Sequence, residues 1–315
     1  MQSLDRILVC LDPDREEQPA LAKAIYLAKE FDSHIELFLA VYNRGLVSNL
    51  FFSSEEFEAA KQGFINSQKR WLTTYQEEVA KEGIGCDIDI VWHKPLYEAV
   101  IQKAKESKAQ LVIKSTHHHP TINKVFFTPN DWQLLKACPV PLILAKKETG
   151  PAYSNIFAAI DPSHHHDKPE QLDSHIVSNA VSLSNKLGGK VKVGHCYDPI
   201  GYQLWSDIGF GMGVGMGPTD FTMGEENYEA YVEQLHKTQK EAFDKIVAPF
   251  SLPDGDKVLE EGYPETLLPE MVERFDIDLL VLGNVYHSGL VGSTSEKILD
   301  QVNCDVLSIN MEKHD

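Results

Sequence analysis

The chain has 315 residues, 43% of them hydrophobic and 24% charged, the composition of an ordinary globular protein rather than a fibrous or wholly disordered one. At about 150 residues per domain, the length predicts two domains, each able to bury a full core. The formal net charge of −18 repels phosphate backbones and anionic lipid heads, so no nucleic-acid partner is expected.

In chain order, the first strands are predicted at Arg6–Leu11, His34–Tyr42, Cys86–Trp92, Gln110–Lys114 and Val140–Ala145. Amphipathic helical stretches fall between them at about 18–31, 55–82, 95–107 and 131–137. The pattern then starts again. RILVCLDP (6–13) resembles NIFAAIDP (155–162), and HIELFLAVYN (34–43) matches KVKVGHCYDP (190–199). HKPLYEAV (93–100) matches GYPETLLP (262–269), QLVIKS (110–115) matches DLLVLGN (278–284), and ACPVPLIL (137–144) matches NCDVLSIN (303–310). The order is preserved throughout, so the chain is an internal duplication. Its boundary is expected in KKETGPAYS (146–154), giving domains 1–148 and 152–315, the second with an insertion at about 200–224. Pro19, Pro95 and Pro264 are placed in the first turns of their helices, where the missing N–H costs nothing. Near-continuous apolar strands such as ILVCL and LLVL suit a parallel sheet covered on both faces. Each copy therefore reads as an α/β, doubly wound five-stranded domain with helices on both faces. Ligands of such sheets sit beyond the carboxyl ends of the strands, where strand order reverses.

Two sets of residues fall at that edge. Asp12 and Asp161 each end the first strand of their copy and are followed by proline. Such a carboxylate can accept from a ribose hydroxyl or a base amine; it can equally cap the turn into the next helix. The second set lies in LVLGNVYHSGLVGSTSEKIL (280–299), where a strand ends at Gly283 and Gly292, Ser293 and Thr294 open a helix. Glycines admit an anion to the backbone, and unpaired helix N–H groups hold phosphate. The other reading is an N-cap hydroxyl with Glu296 as its capping-box partner.

On these residues the chain resembles the universal stress protein family, in its tandem two-domain form. The resemblance rests on the first-strand aspartates, LVLG, Gly-Ser-Thr before SEKIL, Cys-Pro-Val (138–140), Cys-Asp-Val (304–306) and FFTPNDWQLL (126–135). It implies a five-stranded parallel sheet in each half, packed as an internal pseudo-dimer, with a homodimer of the tandem chain as a further possible partner. It also implies ATP or another adenine nucleotide as ligand, held by Asp161, Gly283, Gly292, Ser293 and Thr294. ATP-binding members space Gly, two residues, Gly, nine residues and Gly-Ser/Thr. Here Tyr286 stands at the second glycine, with five residues before Gly292. In the first copy Lys114 and His117 replace both glycines, and Thr128-Pro129-Asn130 stands at the helix start. The expectation is that the first half does not bind ATP in the family manner and the second binds it weakly.

Histidines 117–119 follow the fourth strand of the first copy, and 164–166 follow the first strand of the second. His117 and His119, stiffened by Pro120, are a candidate Zn²⁺ pair if a third ligand converges; an exposed polar loop is the plainer reading. GFGMGVGMGPTDFTMG (209–224) alternates glycine with Phe210, Met212, Val214 and Met216, which would suit an adaptable apolar strip or a surface loop. No G-x-x-x-x-G-K-[ST], H-E-x-x-H or G-x-S-x-G occurs, and no catalytic set emerges, so any ATP hydrolysis would be slow. No run approaches the ~20 apolar residues of a membrane span, and MQSLDRILVC lacks the build of a secretory signal. Five cysteines without a C-x-x-C pair indicate reduced thiols and a cytoplasmic protein. Two functions follow: a nucleotide-binding stress protein, or a chain with decayed sites that carries an apolar, lipid-like ligand or scaffolds a partner.

Overall fold

The computed structural model describes residues 3–48, 53–119, 124–126, 128–146, 150, 152–162, 171–198, 225–284 and 298–311, with backbone alone at 117–119, 124–126, 225–231 and 284. The first half runs β1 (Arg6–Cys10), α1 (Pro19–Phe31), β2 (His34–Val41), α2 (Arg44–Val47), α3 (Ser54–Lys81), β3 (Cys86–Trp92), α4 (Leu96–Glu106) and β4 (Leu111–Ser115). A short hairpin, β5 (His117–His119) and β6 (Lys124–Phe126), precedes α5 (Pro129–Ala137) and β7 (Leu142–Ala145). The second half has β8 (Asn155–Ala159), α6 (Leu172–Leu187), β9 (Lys190–Tyr197), α7 (Glu225–Val247), β10 (Lys257–Glu261), α8 (Pro264–Arg274), β11 (Leu279–Asn284) and β12 (Asp305–Asn310).

Local chemistry sets the element ends. Pro19 and Pro264 occupy first helical turns, whereas Pro95 sits one residue outside, as the N-cap of α4. Its ring fixes φ for the extended entry and donates no hydrogen bond there. Ser53 and Glu56 close a capping box at α3, and Thr128 and Asp131 close another at α5. That second box starts α5 at Pro129, two residues before the apolar periodicity indicates.

Ten strands form one sheet in the order β10-β9-β8-β11-β12-β7-β4-β1-β2-β3. Within each half all pairings are parallel, and the halves join through antiparallel β12 and β7, with Leu307 opposite Ile143. Each half thus has the order 3-2-1-4-5 by position in its own copy, with reversal between its first and fourth strands. The expected internal pairing of two domains takes the form of one continuous sheet. Ile7 and Val9 point into one apolar core and Leu8 and Cys10 into the other, and both cores run through both halves. Burial on both faces explains why these strands carry no polar alternation.

The boundary segment is more than a connection. Lys146 and Tyr153, near its two ends, are buried, together with Lys23 of α1 and Asp305 at the start of β12. The Lys23 ammonium lies 3.0 Å from the Asp305 carboxylate and 4.3 Å from the Tyr153 ring centroid. Asp305 also accepts from the Tyr153 hydroxyl at 2.7 Å and from the Lys146 N–H at 2.8 Å. The Lys146 ammonium donates to the carbonyls of Leu299, at 3.2 Å, and Val302. Buried charges survive when paired and hydrogen-bonded, and here the pairing ties the halves together beside their shared seam.

Candidate functional site

The carboxyl ends of β1–β4 open onto a pocket of about 800 Å³. At its centre β1 delivers Asp12 into a tight turn. Asp12 Oδ1 accepts the Asp14 N–H at 3.0 Å, and Gln18 brackets the Asp12 backbone, accepting its N–H at 3.1 Å and donating to its carbonyl at 2.6 Å. The turn-capping reading of Asp12 therefore holds for one oxygen, while the residue still lines the pocket. On the β2 and β3 side, Tyr42 packs on Trp92 with centroids 5.7 Å apart, and the Lys94 ammonium lies 4.9 Å from the Tyr42 ring centroid. Phe64 and Gln68, one turn apart on α3, close that side, and Gln68 Oε1 is buried without a hydrogen-bond partner.

On the β4 side lies the position where a phosphate cradle would be. Lys114, aligned by sequence with the first glycine but set one residue before it by the strand register, puts its ammonium 2.7 Å from Asp131 Oδ1 and donates to the Ser115 carbonyl at 3.0 Å. Asp131 is fully buried in the first turn of α5; its Oδ2 accepts the Thr128 N–H at 2.7 Å and the Thr128 hydroxyl at 2.8 Å. A carboxylate of the chain itself thus occupies the positive end of the helix. Pro129 removes one further N–H from that helix start. Burial pushes the Cys10 thiol, which also lines the pocket, up to about 12, with nearby Lys114 opposing the shift.

In the second half, Asp161 follows β8. Its N–H donates to Asp173 Oδ1 at 3.2 Å, and its side chain is 47% exposed, 4.0 Å from His195 Nδ1. His195 is buried on β9, between the Ile160 carbonyl and the Gln239 amide, each at 3.1 Å. Two residues on, Tyr197 Oη lies 2.6 Å from His236 Nδ1 of α7. Gly283 ends up against α6: a Cβ there would lie 2.7 Å from Ile176 Cδ1 and 2.9 Å from Leu172 Cδ2. Close helix–sheet packing alone accounts for that glycine. Tyr286, Gly292, Ser293 and Thr294 lie outside the described residues, as does the 209–224 strip. So do histidines 164–166 and the side chains of His117 and His119. Among the described residues no group of three or more His, Cys, Asp or Glu side chains could hold a metal ion.

Sequence reasoning did not single out Gln68 or the Lys114–Asp131 pair. Gln68 is one polar residue in an apolar stripe with Phe64, Trp71 and Tyr75, and that polar interruption is the signal. Thr128-x-x-Asp131 is a visible capping motif, but its ion pair with Lys114 needs the fold.

The topology, with ligand-edge aspartates at both reversal points, defines a tandem doubly wound α/β protein. The universal stress protein family matches residues 3–146 and again 153–310, and the chain belongs to that family and to the stress response for which it is named. It is similar to universal stress protein E of Photorhabdus laumondii, with 27% identity covering 98% of this chain and 96% of that one. Universal stress protein E of Escherichia coli is 25% identical, covering 100% and 96%. Among solved structures, a putative universal stress protein from Pseudomonas aeruginosa superposes with a TM-score of 0.71 at 22% identity, covering 98% of this chain and 94% of that one. One from Archaeoglobus fulgidus gives 0.63 at 12% identity, covering 97% and 98%. No helix among the described residues is long and apolar enough to cross a membrane.

Proposed function

We propose that this protein is a cytoplasmic ligand-binding stress protein that holds ATP or a related adenine nucleotide in its second half. The observation that carries this reading is the half-exposed Asp161 carboxylate at the reversal point of the second sheet half, in a chain of this family. Asp161 would accept from a ribose hydroxyl. Gly292, Ser293 and Thr294 would supply backbone and hydroxyl donors to the phosphates at a helix start. Gly283 would act indirectly, by letting α6 pack closely against the strand end. A bound nucleotide would be hydrolysed slowly at most, since among the described residues no side chain at this edge stands out as a base for water.

The test is calorimetric titration of ATP into the purified, metal-free full chain and into a Thr294→Arg variant. Saturable binding lost in the variant is the expected result. No binding by the wild-type chain would overturn the reading, and a lipid recovered by mass spectrometry of extracted small molecules would favour an apolar-ligand carrier instead.

A further inference from the structure

We propose that the first-half pocket is a second, separate binding site, selective for an uncharged nucleoside-like molecule: an aromatic ring bearing hydroxyl and amine donors, without phosphate. Four observations lead there. At about 800 Å³ the pocket falls in the ~300–1,000 Å³ range of small-molecule sites. The helix start beside β4, that of α5, is already taken by Asp131, and Lys114, the cation that would meet a phosphate there, is neutralised by it at 2.7 Å. A phosphate arriving there would face a buried like charge, which is strongly unfavourable.

The remaining lining charges also balance. Asp12 and Asp14 stand against Arg44 and Lys94, and Lys94 is held over the Tyr42 ring at 4.9 Å. No net field favours an ion. Gln68 Oε1 is a buried acceptor with no partner, a state that costs about 1–3 kcal/mol until a donor arrives. The Asp12 carboxylate lines the same pocket, and Phe64, Tyr42 and Tyr97 supply faces for a flat ring. A nucleoside matches this wall in size, donors and aromaticity, and a nucleotide adds charge that would meet Asp131 at the start of α5. The site lies in the opposite half from the proposed ATP site and stands or falls independently of it.

The experiment titrates adenosine and ATP, by calorimetry, into the full chain carrying Thr294→Arg, which disables the proposed second-half seat. Adenosine is expected to bind at least about tenfold more tightly than ATP, a factor of ten being 1.4 kcal/mol. Adding Gln68→Leu should weaken adenosine by about fivefold or more, because its amine or hydroxyl then loses an acceptor. Adding Asp131→Asn should leave adenosine nearly unchanged and raise ATP affinity about tenfold, because the Lys114 ammonium is then unpaired. Asparagine can still accept the Thr128 N–H, which preserves the cap. The adenosine-to-ATP comparison with Asp131 intact decides the matter even if that variant fails to fold. No adenosine binding, or ATP binding as tightly as adenosine with Asp131 in place, overturns the proposal. Loss of ATP binding on introducing Thr294→Arg, read separately, reports on the second half alone.

Discussion

The junction between the halves gives the sharpest energetic prediction, through Asp305→Asn. Asparagine keeps nearly the size of the side chain, but its single oxygen can replace only one of the two acceptors, Oδ1 for the Lys146 N–H at 2.8 Å or Oδ2 for the Tyr153 hydroxyl at 2.7 Å. It removes the charge and one acceptor. The Lys23 ammonium, 2% exposed and 3.0 Å from the carboxylate, is then a buried cation without a counter-ion. Breaking a buried pair in this way costs about 3–5 kcal/mol, and for a chain of this size the midpoint of thermal unfolding should fall by roughly 5–15 °C. Lys23→Met added to Asp305→Asn removes the stranded charge and should recover about 2 kcal/mol, although Lys146 remains buried against its two carbonyls. Urea unfolding of both single variants and the double variant measures the cycle. A loss below about 1 kcal/mol for Asp305→Asn, or a double-variant loss equal to the sum of the singles, would refute the claim that this pair stabilises the junction.

Gly283→Ala should destabilise the chain by about 1–3 kcal/mol through overpacking, because its Cβ would meet Ile176 and Leu172. Combining it with Ile176→Val, which deletes the nearer carbon, should recover part of the loss in chemical unfolding; an unaltered loss would show the strain lies elsewhere. The thiols set an alkaline limit. Burial pushes Cys10, Cys196 and Cys304 up to about 12, from an ordinary value of 9.0. Their contribution to stability is complete below pH 9, where both states hold the proton. It is lost as pH rises towards 12, because the unfolded chain releases protons first. Thermal midpoints should therefore decline above pH 9, and native thiols should label far more slowly at neutral pH than in urea. Rapid native labelling of all five cysteines would contradict the burial seen here.

The strands were legible because burial on both faces makes them continuous apolar runs, and Cys86–Trp92 has the expected bounds. The last strand of the first half was expected from Val140 but begins at Leu142. Pro139 and Pro141 interrupt the approach, and the Pro141 carbonyl accepts the Val112 N–H at 3.0 Å without a return bond. The boundary segment was read from its Gly-Pro pair as an ordinary linker. Lys146 and Tyr153 are nevertheless buried there because their partner, Asp305, lies more than 150 residues further along the chain. No local pattern announces such a contact. Asp12 and Asp161 were placed correctly at the strand ends, but their surroundings were not legible. One is wound into a turn with Gln18, and the other faces a histidine from β9.

The two halves show why a shared fold need not mean a shared ligand. Ser115 and Gly283 hold the same strand-end position in their copies, since Leu111 pairs with Ile7 of β1 as Leu279 pairs with Ile156 of β8. At Gly283 the absent Cβ lets Leu172 and Ile176 of α6 press against the sheet. At Ser115 the facing helix is α1, whose Ala20 donates its N–H to the Ser115 hydroxyl at 3.0 Å, while Lys114, one residue earlier, points to the other face and to α5. There its ammonium stabilises a buried Asp131, and Asp131 excludes phosphate from the helix start. A pair of side chains thus changes the sign of the site while the sheet order, the seam and both cores remain. In a symmetric homodimer such a change would alter both sites at once. In a tandem chain each crevice can change alone, provided the β7–β12 seam and the Lys23–Asp305 pair keep the halves in register. Phosphate affinity in this architecture is accordingly set by a few side chains at one helix start, and the two starts need not agree.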